Sequence, residues 1–149
     1  MGKLEDEVAK SAEHAAEMSR SRGGLELDYT SDSLAVVEEM IAEAAVHHGE
    51  LSDHQLRNLA QDLGCYVLEV ARRMHGGTYQ WDRGRGEPVL IAGESRVALL
   101  TWETVLGRLN GTHADSITGL LRAFAEQVEG GNRTSGRPPS PASSFVGSS

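Results

Sequence analysis

The periodicity of the chain changes at Gly76-Gly77, and that change limits the folds open to it. Upstream, Leu56, Leu59, Leu63, Tyr66 or Val67, Val70 and Met74 recur at the spacing of one helical face. Ser52 followed by Gln55 gives this helix a capping box at its start. Downstream the period falls to two. Thr78-Tyr79-Gln80-Trp81 alternates, Arg83-Gly84-Arg85-Gly86 is a turn, and Pro88-Val89-Leu90-Ile91-Ala92 is a second strand. Gly93-Glu94-Ser95 turns again into Arg96-Val97-Ala98-Leu99-Leu100. Three short runs joined by glycine turns predict an antiparallel meander. Gly64, in the middle of the helix, costs about 1 kcal/mol relative to alanine and so suggests that another backbone packs closely there.

Helices flank this joint. Residues 1–22 are rich in Ala, Glu and Lys and stop at Gly23-Gly24, with a thin apolar stripe of Leu4, Val8, Ala12 and Ala15 or Ala16. Leu25 to Tyr29 alternates and reads as a short extended segment. Thr30, Ser31 and Asp32 are N-caps for a helix over 32–48, ended by Gly49, with Leu34, Val37, Ile41 and Ala44 or Ala45 inward. Trp102 to Leu109 predicts a short helix stopped by Asn110-Gly111. Another spans 115–129 with Ile117, Leu120, Leu121, Phe124 and Val128 on its inner face. The fold class is therefore α+β: a three-stranded antiparallel meander packed against four to five helices. Residues 1–24 form an accessory helix, 25–129 the compact domain, and 130–149 a disordered Gly/Pro/Ser-rich tail, in which Phe145-Val146 is the one apolar pair.

The net charge of −8 is unevenly spread. Leu25 to Leu56 holds eight acids and no Lys or Arg, whereas Arg72 to Arg96 holds five arginines against Asp82, Glu87 and Glu94. A negative field repels phosphate backbones and attracts cationic partners, which disfavours nucleic acid. Met1 to Lys10 lacks the apolar core of a secretory signal, no run is long enough to span a membrane, and Asp6 stands where a myristoylation motif needs Ser or Thr. A cytoplasmic location is expected. The sequons at Asn110 and Asn132 then carry no meaning, and Cys65, the single cysteine, excludes a disulfide framework and a cysteine-based zinc site.

Each cluster of reactive residues has a plain structural reading. Cys65 beside a histidine suggests a nucleophile, but its apolar helical surroundings favour a buried small hydrophobe. His47, His48 and His54 with Glu50 and Asp53 suggest a metal, but the spacing matches no helical ligand pair, so no metal and no cofactor is indicated. Glu69 and Arg73 are at i, i+4 in the favourable order for a surface pair. If Glu69 points inward it needs a partner, and Arg72, Arg73, Tyr79 or Trp81 would complete a polar cluster. Arg83 to Gly86 lacks the Gly-Lys-Ser/Thr and following helix of a phosphate loop, so a hairpin turn is favoured.

Three segments resemble a small bacterial family of unknown function. Leu27-Asp28-Tyr29-Thr30-Ser31-Asp32-Ser33-Leu34 is similar to its LD(Y/F)S…SL opening. Gly64-Cys65-Tyr66-Val67-Leu68-Glu69-Val70, with Gly76-Gly77 and Trp81, is similar to its GxYxGEV…GGxW segment. Val105 to Gly111 followed by Asp115-Ser116-Ile117 is similar to its VxKRLxxG…DSL close. Leu68 replaces a usual glycine and Gly107 a usual lysine. The resemblance, over 27–128, implies a compact mixed α/β domain with no established activity. Two functional expectations result. The first is a non-catalytic cytoplasmic module, with no membrane or nucleic-acid role, that docks a basic protein partner through Asp32, Glu38, Glu39, Glu43, Glu50 and Asp53. A toxin-neutralising immunity protein is its concrete example. The second is a small enzyme or ligand-binding domain with a pocket at Tyr66, Glu69, Arg73, His75 and Trp81, in which Glu69 has a raised pKa.

Overall fold

The computed structural model describes residues 2–21, 27–112 and 116–135. Helix α1 (Lys3–Ser21) is followed by a 3-10 turn at Ser31–Ser33, α2 (Leu34–Val46) and a second 3-10 turn at His48–Glu50. Then come α3 (Asp53–His75), β1 (Thr78–Asp82), β2 (Glu87–Ala92), β3 (Val97–Leu99), α4 (Trp102–Asn110) and α5 (Ile117–Ser135). The sheet is the expected meander, order β1-β2-β3, both pairs antiparallel. Its register sets Tyr79 opposite Leu90 and Leu90 opposite Leu99, a row of buried side chains on one face.

The third helix begins as its capping box dictates. Gln55 N–H donates to Ser52 Oγ at 3.1 Å, and Ser52 N–H donates to Gln55 Oε1 at 2.8 Å. Its packing departs from the one-face reading. From Asp62 to Ala71 every residue is buried, because α1 and α4 pack along it and the sheet and α5 close its remaining sides. Met74, expected on the inner face, is 52% exposed at the edge of a groove between α3 and α5.

Gly64 behaves as the sequence suggested. A Cβ there would stand 2.6 Å from Trp102 Cδ1 and 3.3 Å from Trp102 Cα. The space is taken by the start of α4, where the buried Thr101 Oγ1 donates to Gly64 carbonyl at 2.7 Å. Gly77 is required twice over. Its φ of 112° disfavours any other residue, and a Cβ would meet Ile91 O at 2.5 Å.

Helix α1 is docked, with Val8, Ala12, Ala15, Ala16 and Ser19 buried against α3. Small side chains let the two helices approach closely. The expected extent of α2 is corrected at both ends: a 3-10 turn precedes it, capped by Thr30 Oγ1 accepting from Ser33 N–H, and it ends at Val46, before Gly49. The expected break at Gly130 is also corrected. Helix α5 continues through Gly130-Gly131 to Ser135, packing against the β2–β3 turn, where a Cβ on Gly131 would come within 2.8 Å of Ser95 Cβ. The tail from 136 onward, with Phe145-Val146, the Gly23-Gly24 stop and Asp115 lie outside the described residues. No helix among the described residues is long and apolar enough to cross a membrane.

Candidate functional site

Residues 28–33 meet α3 and β1 in one polar joint. Asp28 Oδ1 accepts from Thr30 N–H and hydroxyl, closing a tight turn. That turn holds Tyr29 at a left-handed φ of 67°, unusual for an aromatic residue. Tyr66, fully buried on α3, compensates: its hydroxyl oxygen accepts from Tyr29 N–H at 2.8 Å and lies 2.6 Å from Ser33 Oγ. The Tyr29 and Tyr66 rings are 4.8 Å apart, and the Arg73 guanidinium covers the Tyr29 ring at 3.9 Å.

Arg73 Nε in turn lies 3.7 Å from Glu69 Oε1. Glu69 points inward, its side chain 5% exposed, and Arg72 rather than Arg73 is its main partner, with hydrogen bonds of 2.9 and 3.1 Å. The Tyr79 hydroxyl donates to Glu69 at 2.6 Å. Burial pushes the Glu69 carboxyl up, but the hydrogen bonds from Arg72 and Tyr79 and the charges of both arginines outweigh it and leave it below its ordinary value. The raised pKa expected of a pocket carboxylate is thereby reversed. Tyr79 is shifted upward, by burial and by the carboxylate it serves.

Of the five pocket positions expected from sequence, the structure joins Tyr66, Glu69 and Arg73 into one chain of contacts and sends the other two elsewhere. His75 packs edge-on to Phe124 at 5.7 Å, beside an apolar groove of about 180 Å³ between α3 and α5. Trp81, 50% exposed, meets Trp102 edge to face at 6.4 Å.

The acidic positions also divide. Glu39 and Glu43 are exposed on the outer stripe of α2 with Ala35, Ala42 and Val46. Asp32 precedes that stripe, and Glu50 and Asp53 follow it, all exposed. Glu38 is on the inner side. Its carboxylate accepts from Arg108 at 2.7 Å and from Thr118 N–H at 3.1 Å, bridging α2 to α4 and α5. Desolvation raises its pKa, yet the bonds from Arg108 and Thr118 bring it below the ordinary value.

The histidines near the α2–α3 turn are used locally. His47 Nδ1 is 3.4 Å from Glu50, His48 Nδ1 is 2.9 Å from Ala45 carbonyl, and His54 Nε2 is 3.2 Å from the Asn58 amide. Among the described residues no three His, Cys, Asp or Glu side chains gather as a metal site. Cys65 is buried, and burial pushes its thiol up to about 12, far from a reactive thiolate.

Sequence reasoning missed two features. His14 Nδ1 lies 2.7 Å from Asp62 Oδ2, pinning α1 to α3 beside a polar cleft of about 670 Å³. These residues are 48 apart and share no pattern. The second feature is Trp102, at the start of α4. It separates two smaller clefts of about 340 and 330 Å³, and its Nε1 is the one buried side-chain N or O among the described residues without a hydrogen-bond partner. No protein-family model, curated protein or solved structure matches the chain.

Proposed function

We propose that the chain is a non-catalytic, cytoplasmic protein-binding module that docks a basic protein partner, with a toxin-neutralising immunity protein as the most concrete instance. The observation that carries this reading is the outer stripe of α2. Glu39 and Glu43 are exposed on one stripe of α2 with Val46, which is 78% exposed, and Asp32, Glu50 and Asp53 are exposed in the segments that precede and follow that helix. From Leu25 to Leu56 no Lys or Arg interrupts the charge. Such a surface steers a cationic partner into encounter and tunes its on-rate. A catalytic reading built on Glu69 has less support, because that carboxylate is ion-paired, takes three hydrogen bonds from Arg72 and Tyr79, and has a lowered pKa.

The test is capture of the partner from the native host, identification by mass spectrometry, and measurement of its Kd across a salt series. The Glu39→Lys, Glu43→Lys, Glu50→Lys triple variant is expected to bind at least about tenfold more weakly and to lose most of the salt dependence. Equal affinity and an equal salt slope for the two proteins refute the acidic-face reading.

A further inference from the structure

Between the first turns of α1 and the β1–β2 hairpin lies a cleft of about 330 Å³. Leu4, Glu7 and Val8 of α1, Trp81 of β1, Pro88 of β2 and Trp102 of α4 form its walls. The size is at the lower end of the range for small-ligand sites, about 300–1,000 Å³.

Three observations define what it would take. The two indoles stand at 81° to one another, so the cleft has two aromatic walls set as a corner. Among the described residues lining it, the one charged side chain is Glu7, a carboxylate. Leu4, Val8 and Pro88 add methyl groups and a pyrrolidine ring, and Ser11 and Gln61 supply the uncharged polar side chains. Gln61 Nε2 donates to Ser11 Oγ at 3.4 Å, which ties those two side chains to each other.

A primary ammonium or guanidinium brings three to five N–H donors, for which the side chains of Trp81, Trp102, Leu4, Val8 and Pro88 offer no acceptor. A fully alkylated ammonium brings positive charge with no donors. Its methyl groups contact apolar walls while its charge faces indole quadrupoles and a carboxylate. The neighbouring cleft beyond Trp102 is less suited, because Arg57 and Arg85 line it, and Arg85 is already paired with Glu103 at 2.7 Å.

We infer that the Trp81–Trp102 corner, with Glu7 at its edge, is a binding site for a quaternary ammonium group. The group is carried either by a small choline-like molecule or by a trimethylated lysine side chain. This inference does not depend on the acidic face of α2.

The experiment is a titration of the intact chain, read by intrinsic tryptophan fluorescence and by the two indole N–H resonances. The probes are choline, the neutral isostere 3,3-dimethylbutan-1-ol, and a trimethyl-lysine peptide with its unmodified counterpart. Choline is expected to shift both indole signals and to bind at least about tenfold more tightly than the isostere. Trp81→Ala is expected to abolish the choline response, Trp81→Phe to weaken it severalfold, and Glu7→Gln to weaken it while leaving the isostere unaffected. Trp81 is half exposed, so the phenylalanine variant should fold even if the alanine variant does not. Tighter binding of the trimethyl-lysine peptide than of choline assigns the source to a protein side chain, and the reverse order assigns it to a free metabolite. Equal binding of choline and its isostere, or silent indole resonances with every probe, overturns the inference.

Discussion

Residue-scale chemistry in this molecule concentrates on α3, where single atoms decide the packing. At Gly64 a methyl group would displace the Trp102 ring and press on its backbone. Alanine gains about 1 kcal/mol of helix propensity at such a position, whereas overpacking a filled core costs about 1–3 kcal/mol, and the obstacle is backbone as well as ring. Gly64→Ala is therefore expected to lower stability in denaturant titration, and a stabilised variant would contradict the close approach of α4. Glu69 provides a second test. A carboxyl held below its unfolded value stabilises the fold fully above that value, and the contribution is lost as pH falls through the folded value. Removing the donor in Tyr79→Phe forfeits a hydrogen bond to a charged group, about 1.5–3 kcal/mol. It also lets the Glu69 pKa rise, so acid unfolding of the variant should begin at higher pH than in the wild type. Superimposable profiles of melting temperature against pH would show that the bond contributes nothing.

At the scale of elements, the docking of α1 rests on small side chains and on His14–Asp62. Burial raises the Asp62 carboxyl above its ordinary value, against the opposing effect of His14 and of Ser11. For an acid, a raised folded pKa means that the ionised form costs stability above the unfolded value, and that this cost disappears as pH falls below it. Asp62→Asn keeps an acceptor for His14 without the buried charge. It is expected to change stability at neutral pH by no more than about 1 kcal/mol. Its melting temperature should fall progressively behind the wild type as pH is lowered through the carboxylate range. A detached α1 in the Asp62→Asn variant, seen as lost helicity and rapid proteolysis near Ser21, would assign the anchoring to the charge. The elements themselves were legible because local signals agreed: the Ser52 cap, the change of period at Gly76-Gly77 and the glycine turns all act within a few residues. The contacts that assemble the joint were not. Tyr66 with Ser33, Glu38 with Arg108 and His14 with Asp62 connect positions far apart in the chain, and no spacing rule encodes them. The all-round burial of α3 was hidden for a related reason, since Asp62 and Glu69 break the apolar pattern while being buried with partners.

For the molecule as a whole, the division between Glu38 and its neighbours matters most. Reversing the exposed Glu39, Glu43 and Glu50 should perturb the fold far less than reversing Glu38, which a thermal melt of the triple variant checks. Reversing Glu38 places a cation beside Arg108 at a half-buried bridge that ties α2 to two other helices. A loss of binding on Glu38→Lys would therefore report unfolding, and the triple variant that spares Glu38 is the one able to separate docking from stability. The central position of α3 has one more consequence. Because every side of 62–71 is occupied by a different element, deleting one residue would turn all that precedes it about 100° relative to all that follows. Descendants of this sequence can therefore vary that helix by exchange of side chains but not by change of length, and insertions should accumulate only where the chain passes between elements.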